Sequence, residues 1–101
     1  MSIETDLACD RRRLILELLA RSEGHGLPAG VLEVVVGRAR HRAWRDVVRA
    51  DITLLAQHGL VQVEDLPSDA GPQSQVSLSG LGLDVARGRA HPAVAPLLPS
   101  Y

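Results

Sequence analysis

The fold turns on one stretch, Arg38-Ala39-Arg40-His41-Arg42-Ala43-Trp44-Arg45-Asp46-Val47-Val48-Arg49-Ala50-Asp51-Ile52-Thr53-Leu54-Leu55-Ala56-Gln57-His58-Gly59. Five of the eleven arginines fall in it, against two acids, Asp46 and Asp51. From about Ala43 to Gln57 the spacing predicts an amphipathic helix. Val48, Ile52 and Leu55 share one face with Trp44 a turn earlier, and Arg42, Arg45, Arg49 and Thr53 lie opposite at steps of three and four. Gly59 is a natural stop, since a residue without Cβ reaches the left-handed conformation that closes a helix. Asp46 and Asp51 read as charge partners of Arg49 within that helix.

Downstream, Leu60–Asp65 and Gln73–Leu78 read as the strands of a hairpin around Leu66–Pro72, a loop rich in turn residues. Ser79 is placed to cap a last helix with Leu81 and Val85 facing inward, ending near Gly88. Gly80 and Gly82 read as a loosely packed helix start. Residues 91–101 carry Pro92, Pro96 and Pro99 and are expected to form an extended or mobile tail to a domain of residues 1–90.

Upstream, residues 6–22 read as a first helix. Leu7, Leu14 and Leu18, with Ile15 and Leu19 beside them, make a broad apolar stripe, and Cys9, Leu16 and Ala20 form a second flank. Asp10, Arg13, Glu17 and Arg21 form the polar side. Ser22–Gly26 is a turn, and Leu27-Pro28 opens a second helix through Val31, Leu32, Val34, Val35 and Val36 to Gly37. Four valines make a strand a competitor here. The run lacks two-residue alternation, and a short buried helix is the better reading.

The composition narrows the function. The chain has 101 residues, enough for one small core, and that core is aliphatic because Trp44 and Tyr101 are the only aromatic residues. No run is long enough to span a membrane, and a single cysteine, Cys9, makes a reducing, cytoplasmic setting the default. Cys9 itself reads as a small buried hydrophobe. The four histidines, His25, His41, His58 and His91, are scattered without metal-ligand spacing, so neither metal nor cofactor is expected. Phosphate loops, nucleophile elbows and paired acidic motifs are missing, which argues against an enzyme. A net charge of −1 conceals uneven placement, since Ala50–Ala86 holds no lysine or arginine at all.

Taken in order, helix, helix, helix, hairpin, helix is the winged helix-turn-helix arrangement, a mainly α fold with a β-hairpin wing. The stretches Val48–Val61, reading VRADITLLAQHGLV, and Leu78–Arg89, reading LSGLGLDVARGR, resemble small winged-helix proteins of Mu-like transposable phages and prophages, of the ArsR-like regulator type. The resemblance covers about residues 7–90 and implies a DNA-binding, regulatory role. Two features depart from that pattern. Trp44 stands where a serine or threonine cap is usual, and the wing carries Glu64, Asp65 and Asp69 with no basic residue.

A recognition helix places its first turns on base edges while basic groups nearby hold phosphates. Arg45 and Arg49, and Thr53 a turn further on, are therefore the candidate base contacts in double-stranded DNA, with Arg38, Arg40 and Arg42 on the backbone. The plain alternative is a set of arginines that only keeps an exposed face soluble. Trp44 is expected at the rim of the core, in preference to stacking on nucleic acid. A homodimer is expected from the second flank of the first helix and the apolar segment Val85–Leu98, with half-sites about one helical turn apart, ~34 Å. The rival function is a protein-interaction module that uses the acidic stretch Asp51–Asp84.

Overall fold

A computed structural model describes residues 3–39, 42–67, 69, 71 and 73–97. Helix α1 spans Ile3–Arg21, and after a single 3-10 turn a short strand β1, Gly26–Pro28, leads into α2, Ala29–Gly37. Helix α3 spans Arg45–Gln57, strands β2 (Val61–Leu66) and β3 (Gln73–Leu78) form the hairpin, and α4 covers Gly80–Ala86. The sheet is antiparallel in the order β1-β3-β2, with Leu27 opposite Val76 and Val63 opposite the same residue on the other side. This is the expected winged-helix order, with a third strand added to the wing.

The core lies where α1, α2 and α3 meet the sheet. Ile15, Leu16, Leu19, Leu32, Val36, Val48, Leu55, Leu60, Val76 and Val85 are fully buried in it. Val48, Ile52 and Leu55 anchor α3 as expected. The helix closes in a Schellman motif: Gly59 N–H donates to the Ala56 carbonyl and Leu60 N–H to that of Leu55, with Gly59 at a φ of 72°. Leu55 and Leu60, both buried, supply the hydrophobic contact that accompanies such an ending. The Ser79 Oγ accepts the Gly82 N–H at 3.0 Å, as the sequence predicted, and it donates to the Gly59 carbonyl. The end of one helix is thereby tied to the start of the next.

Several expectations are corrected. Gly82 is not loosely packed; it is buried, and a Cβ there would overlap the Leu60 carbonyl. Helix α2 is buried on one side only, through Leu32, Glu33 and Val36, while Val31, Val34 and Val35 face solvent. Arg13 leaves the polar side of α1 and is 4 % exposed. Its guanidinium donates to the carbonyls of Val85, Ala86 and Ala95, so it closes the C-terminal end of α4. Asp51 is no partner of Arg49; it is buried and accepts from Arg11 Nε at 2.8 Å and Arg12 Nε at 3.1 Å, joining α3 to α1.

The segment after α4 belongs to the fold through Ala95. Ala93 and Val94 are buried, Ala95 N–H donates to the Cys9 carbonyl, and Arg12 reaches the Ala93 carbonyl. Residues 98–101 lie outside the described residues. This docking covers the Cys9 side of α1, where Leu16 is buried and Cys9 half-buried. Of the two surfaces from which a homodimer was expected, Leu16, Val85, Ala86, Ala93 and Val94 are buried within the chain and Leu97 is exposed.

Candidate nucleic-acid interface

Helix α3 begins without a side-chain cap. Trp44 occupies the cap position in an extended backbone conformation, and Asp46 supplies the negative charge of the first turn. Because the cap residue lies outside the helical stripe, Trp44 does not continue the Val48–Ile52–Leu55 face. It is 82 % exposed, which overturns its placement at the core rim.

On the outer side of α3, Arg45 and Arg49 stand one turn apart with side chains 65 % and 66 % exposed. Both reach back to a single oxygen of Glu33 on α2: Arg45 Nε donates to Oε1 at 3.3 Å and Arg49 Nη2 to the same atom at 3.0 Å. The Glu33 side chain is only 6 % exposed. Its hydrogen bond and charge raise the pKa of Arg49 above the ordinary value, with Asp46 adding to the effect. The arginine is a permanent cation either way.

Thr53 is exposed, and its hydroxyl donates to the Arg49 carbonyl one turn back. Its methyl group and the two lone pairs of the hydroxyl oxygen are what it has to offer a ligand. Arg38 follows α2 and Arg42 precedes α3; both are exposed, and neither makes an ion pair among the described residues. Arg40 lies outside the described residues. The six arginine and threonine candidates thus reduce to five that can be placed, and all five are exposed on α3 or on the segment that joins it to α2.

The two arginines border a cleft of about 600 Å³ between the start of α2, α3 and the first residues of β3, with Gly30, Glu33, Gln73 and Ser74 also on its walls. Ser74 donates to Asp65 at 2.8 Å, so one wing acid is held beside that cleft. Glu64, Asp65 and Asp69 are all exposed. Next to the basic face of α3 the wing is acidic, and it offers no cation for phosphate.

Glu33 is the residue of this candidate interface that the sequence reading missed. A signal for it was there: a single acid in the run Val31–Val36, on the same helical side as Leu32 and Val36, is an acid at a core position. Such an acid requires a cation nearby, and the next helix offers two at a spacing of four. Among the described residues no three His, Cys, Asp or Glu side chains are grouped to hold a metal ion, and no helix is long and apolar enough to cross a membrane.

No protein-family model matches the chain, and no curated protein matches it. Among solved structures it is similar to a transcriptional regulator homologue from Pyrococcus horikoshii OT3, with a TM-score of 0.58 at 21 % identity. That likeness covers 76 % of this chain and 68 % of the other. At that identity it establishes the shared fold: four helices and a three-stranded antiparallel wing, built as in that protein.

Proposed function

We propose that this chain is a sequence-specific DNA-binding protein that sets α3 in the major groove. The observation that carries the reading is the pair Arg45 and Arg49, one turn apart on the outer face of α3 and rooted on a buried carboxylate. Each guanidinium has five N–H donors and gives one to Glu33. Enough remain for the two-pronged contact to guanine O6 and N7. Thr53 is the third base contact. Arg38, Arg42 and, from the sequence alone, Arg40 hold phosphates on either side of the groove. Exposed Trp44, at the start of the helix, is placed to lie against a sugar or base. The role as a transcriptional regulator draws support from the fold shared with the regulator homologue, and the narrower phage or prophage type rests on the two resembling stretches alone.

Trp44, the only tryptophan, makes the test direct. Its fluorescence is followed while a mixed-sequence duplex is titrated across a salt series, with wild type and the Arg45→Ala/Arg49→Ala variant side by side. Micromolar binding that weakens steeply with salt and is reduced in the variant supports the reading. No binding at low salt removes it.

A second reading, a winged helix that binds protein, is favoured by one feature: β2 is exposed along almost its whole length, with Val63 and Leu66 open to solvent on either side of Glu64 and Asp65. Under that reading the arginine variant leaves the partner bound.

A further inference from the structure

We infer that Glu33 is the residue that sets the specificity of α3: it holds Arg45 and Arg49 in their reading position before DNA arrives, and it lowers their attraction for phosphate in general. This deepens the DNA-binding reading and depends on it.

The geometry has three parts. First, the two guanidiniums converge on one oxygen, Oε1, at 3.3 and 3.0 Å, so neither can swing away without leaving the other in a changed site. Second, burial is lopsided, with the carboxylate almost dry and both cations mostly wet. The carboxylate holds Arg45 at the stem side of its fork, through Nε, and Arg49 through one terminal nitrogen, Nη2, so that Nη1 and Nε of Arg49 remain free. Arg45 gives up its Nε–H, so both terminal nitrogens of its fork stay available for a base edge. Third, Glu33 sits on α2 and the arginines on α3, so the clamp also fixes the angle at which the recognition helix presents them.

Two consequences follow from elementary physics. A long side chain already ordered in the free protein loses less freedom when it docks, and that gain is realised only where the docked geometry matches, which is at the right bases. A carboxylate beside two cations leaves one net positive charge where there would be two. Attraction to any phosphate falls, and with it binding to the wrong sequence. Glu33 is a positioning residue and touches no base.

The test uses Glu33→Gln, which keeps shape and removes charge, and Glu33→Asp, which keeps charge and shortens reach. Circular dichroism melting confirms that each variant is folded. On a mixed-sequence duplex, Glu33→Gln should bind more tightly than wild type, with the slope of log K against log salt steeper by about one. Selection from a randomised duplex pool should show a flattened base preference, by roughly five-fold to a hundred-fold at the positions read by Arg45 and Arg49. Glu33→Asp should lose preference without the rise in general affinity, separating reach from charge. Independently of DNA, the Arg45 Nε–H should be motionally restricted in the wild-type protein, in contrast to that of Arg42. Equal mobility of Arg45 and Arg42, or an unchanged base preference in Glu33→Gln, would overturn the inference while leaving DNA binding intact. A wild-type protein that binds no duplex at low salt would overturn both.

Discussion

Replacing Arg13 by methionine should be among the most damaging single changes in this chain. The methionine keeps most of the apolar stem and removes the guanidinium, which in wild type donates to Ala95 O at 2.8 Å, Val85 O at 2.8 Å and Ala86 O at 3.2 Å. A hydrogen bond from a charged donor contributes ~1.5–3 kcal/mol. The two Nη1 contacts share one nitrogen and count as about one bond. The gross loss is then ~3–6 kcal/mol. Against this, the variant no longer buries a cation, a burden visible in the wild-type protein as a guanidinium pKa pushed down by burial. Val85 O also keeps the Gly88 N–H at 3.1 Å. The net destabilisation comes to ~2–4 kcal/mol, a fall in Tm of roughly 10–25 °C for a domain of this size.

Thermal and urea unfolding measure that loss, with Arg21→Met, on the exposed end of α1, as a control expected within ~0.5 kcal/mol of wild type. Limited trypsinolysis adds a local reading. The chain has no lysine, and Arg89 precedes the docked segment, so cleavage there should accelerate in Arg13→Met as residues 91–95 come away. A variant within ~1 kcal/mol of wild type, with unchanged cleavage at Arg89, would show that Arg13 is a passenger in the core and refute the reasoning.

Asp51→Asn should cost ~1.5–3 kcal/mol by urea unfolding, because a buried acceptor of two arginines loses its charge, whereas Asp46→Asn on the exposed first turn should cost well under ~1 kcal/mol. Gly82→Ala should destabilise by ~1–3 kcal/mol in the same assay, since the Leu60 carbonyl must move to admit the methyl group, while Gly80→Ala, with open space around it, should be neutral or stabilising by up to ~1 kcal/mol. Stability should also fall on mild acidification. Burial first, then the charges of His58 and Arg89, hold His91 below its ordinary pKa of 6.5. As the pH drops through 6.5 the unfolded chain therefore takes up the proton first; stability declines from there until the folded value is passed. The same proton removes the acceptor of the Ala93 N–H. Melting curves between neutral and acidic pH should show the decline in wild type and much less of it in His91→Gln, and an equal decline in both would exclude His91 as its source.

Punctuation made most of this fold legible. Gly59 and Gly88 act through a positive φ and Ser79 through a capping hydroxyl, features that only a few residue types supply, so their positions mark where α3 ends and where α4 starts and stops. Strand β1 was not legible, because Gly26-Leu27-Pro28 is too short for alternation and is a strand only by virtue of pairing with β3. Arg13 was misplaced because its partners are backbone carbonyls at a helix end, groups that leave no trace in side-chain periodicity. Asp51 was misassigned for a simpler reason: residues two apart on a helix lie about 200° around the axis and do not face each other. At the site, the two arginines were legible from their spacing, but the carboxylate beneath them was hidden in a run that reads as valine.

Among the described residues three charged side chains are buried, Arg13, Glu33 and Asp51; each joins elements apart in sequence, yet they do not do the same work. Arg13 meets carbonyls in the interior, and the arginines on Asp51 are 15 % and 17 % exposed, so in both cases water is kept from donor and acceptor alike. That is how an ionic contact becomes a strong staple, since its electrostatics act in a low dielectric. Glu33 is arranged otherwise. Its carboxylate is as dry as that of Asp51, but the cations opposite are two-thirds wet, and ion pairs with exposed partners contribute only ~0.2–1 kcal/mol. As a device for stability alone, an apolar residue at position 33 would serve α2 at least as well, beside Leu32 and Val36. What the carboxylate does that an apolar residue cannot is order two exposed cations without withdrawing them from solvent. Under the DNA-binding function proposed above, that ordering serves the anionic surface that meets α3.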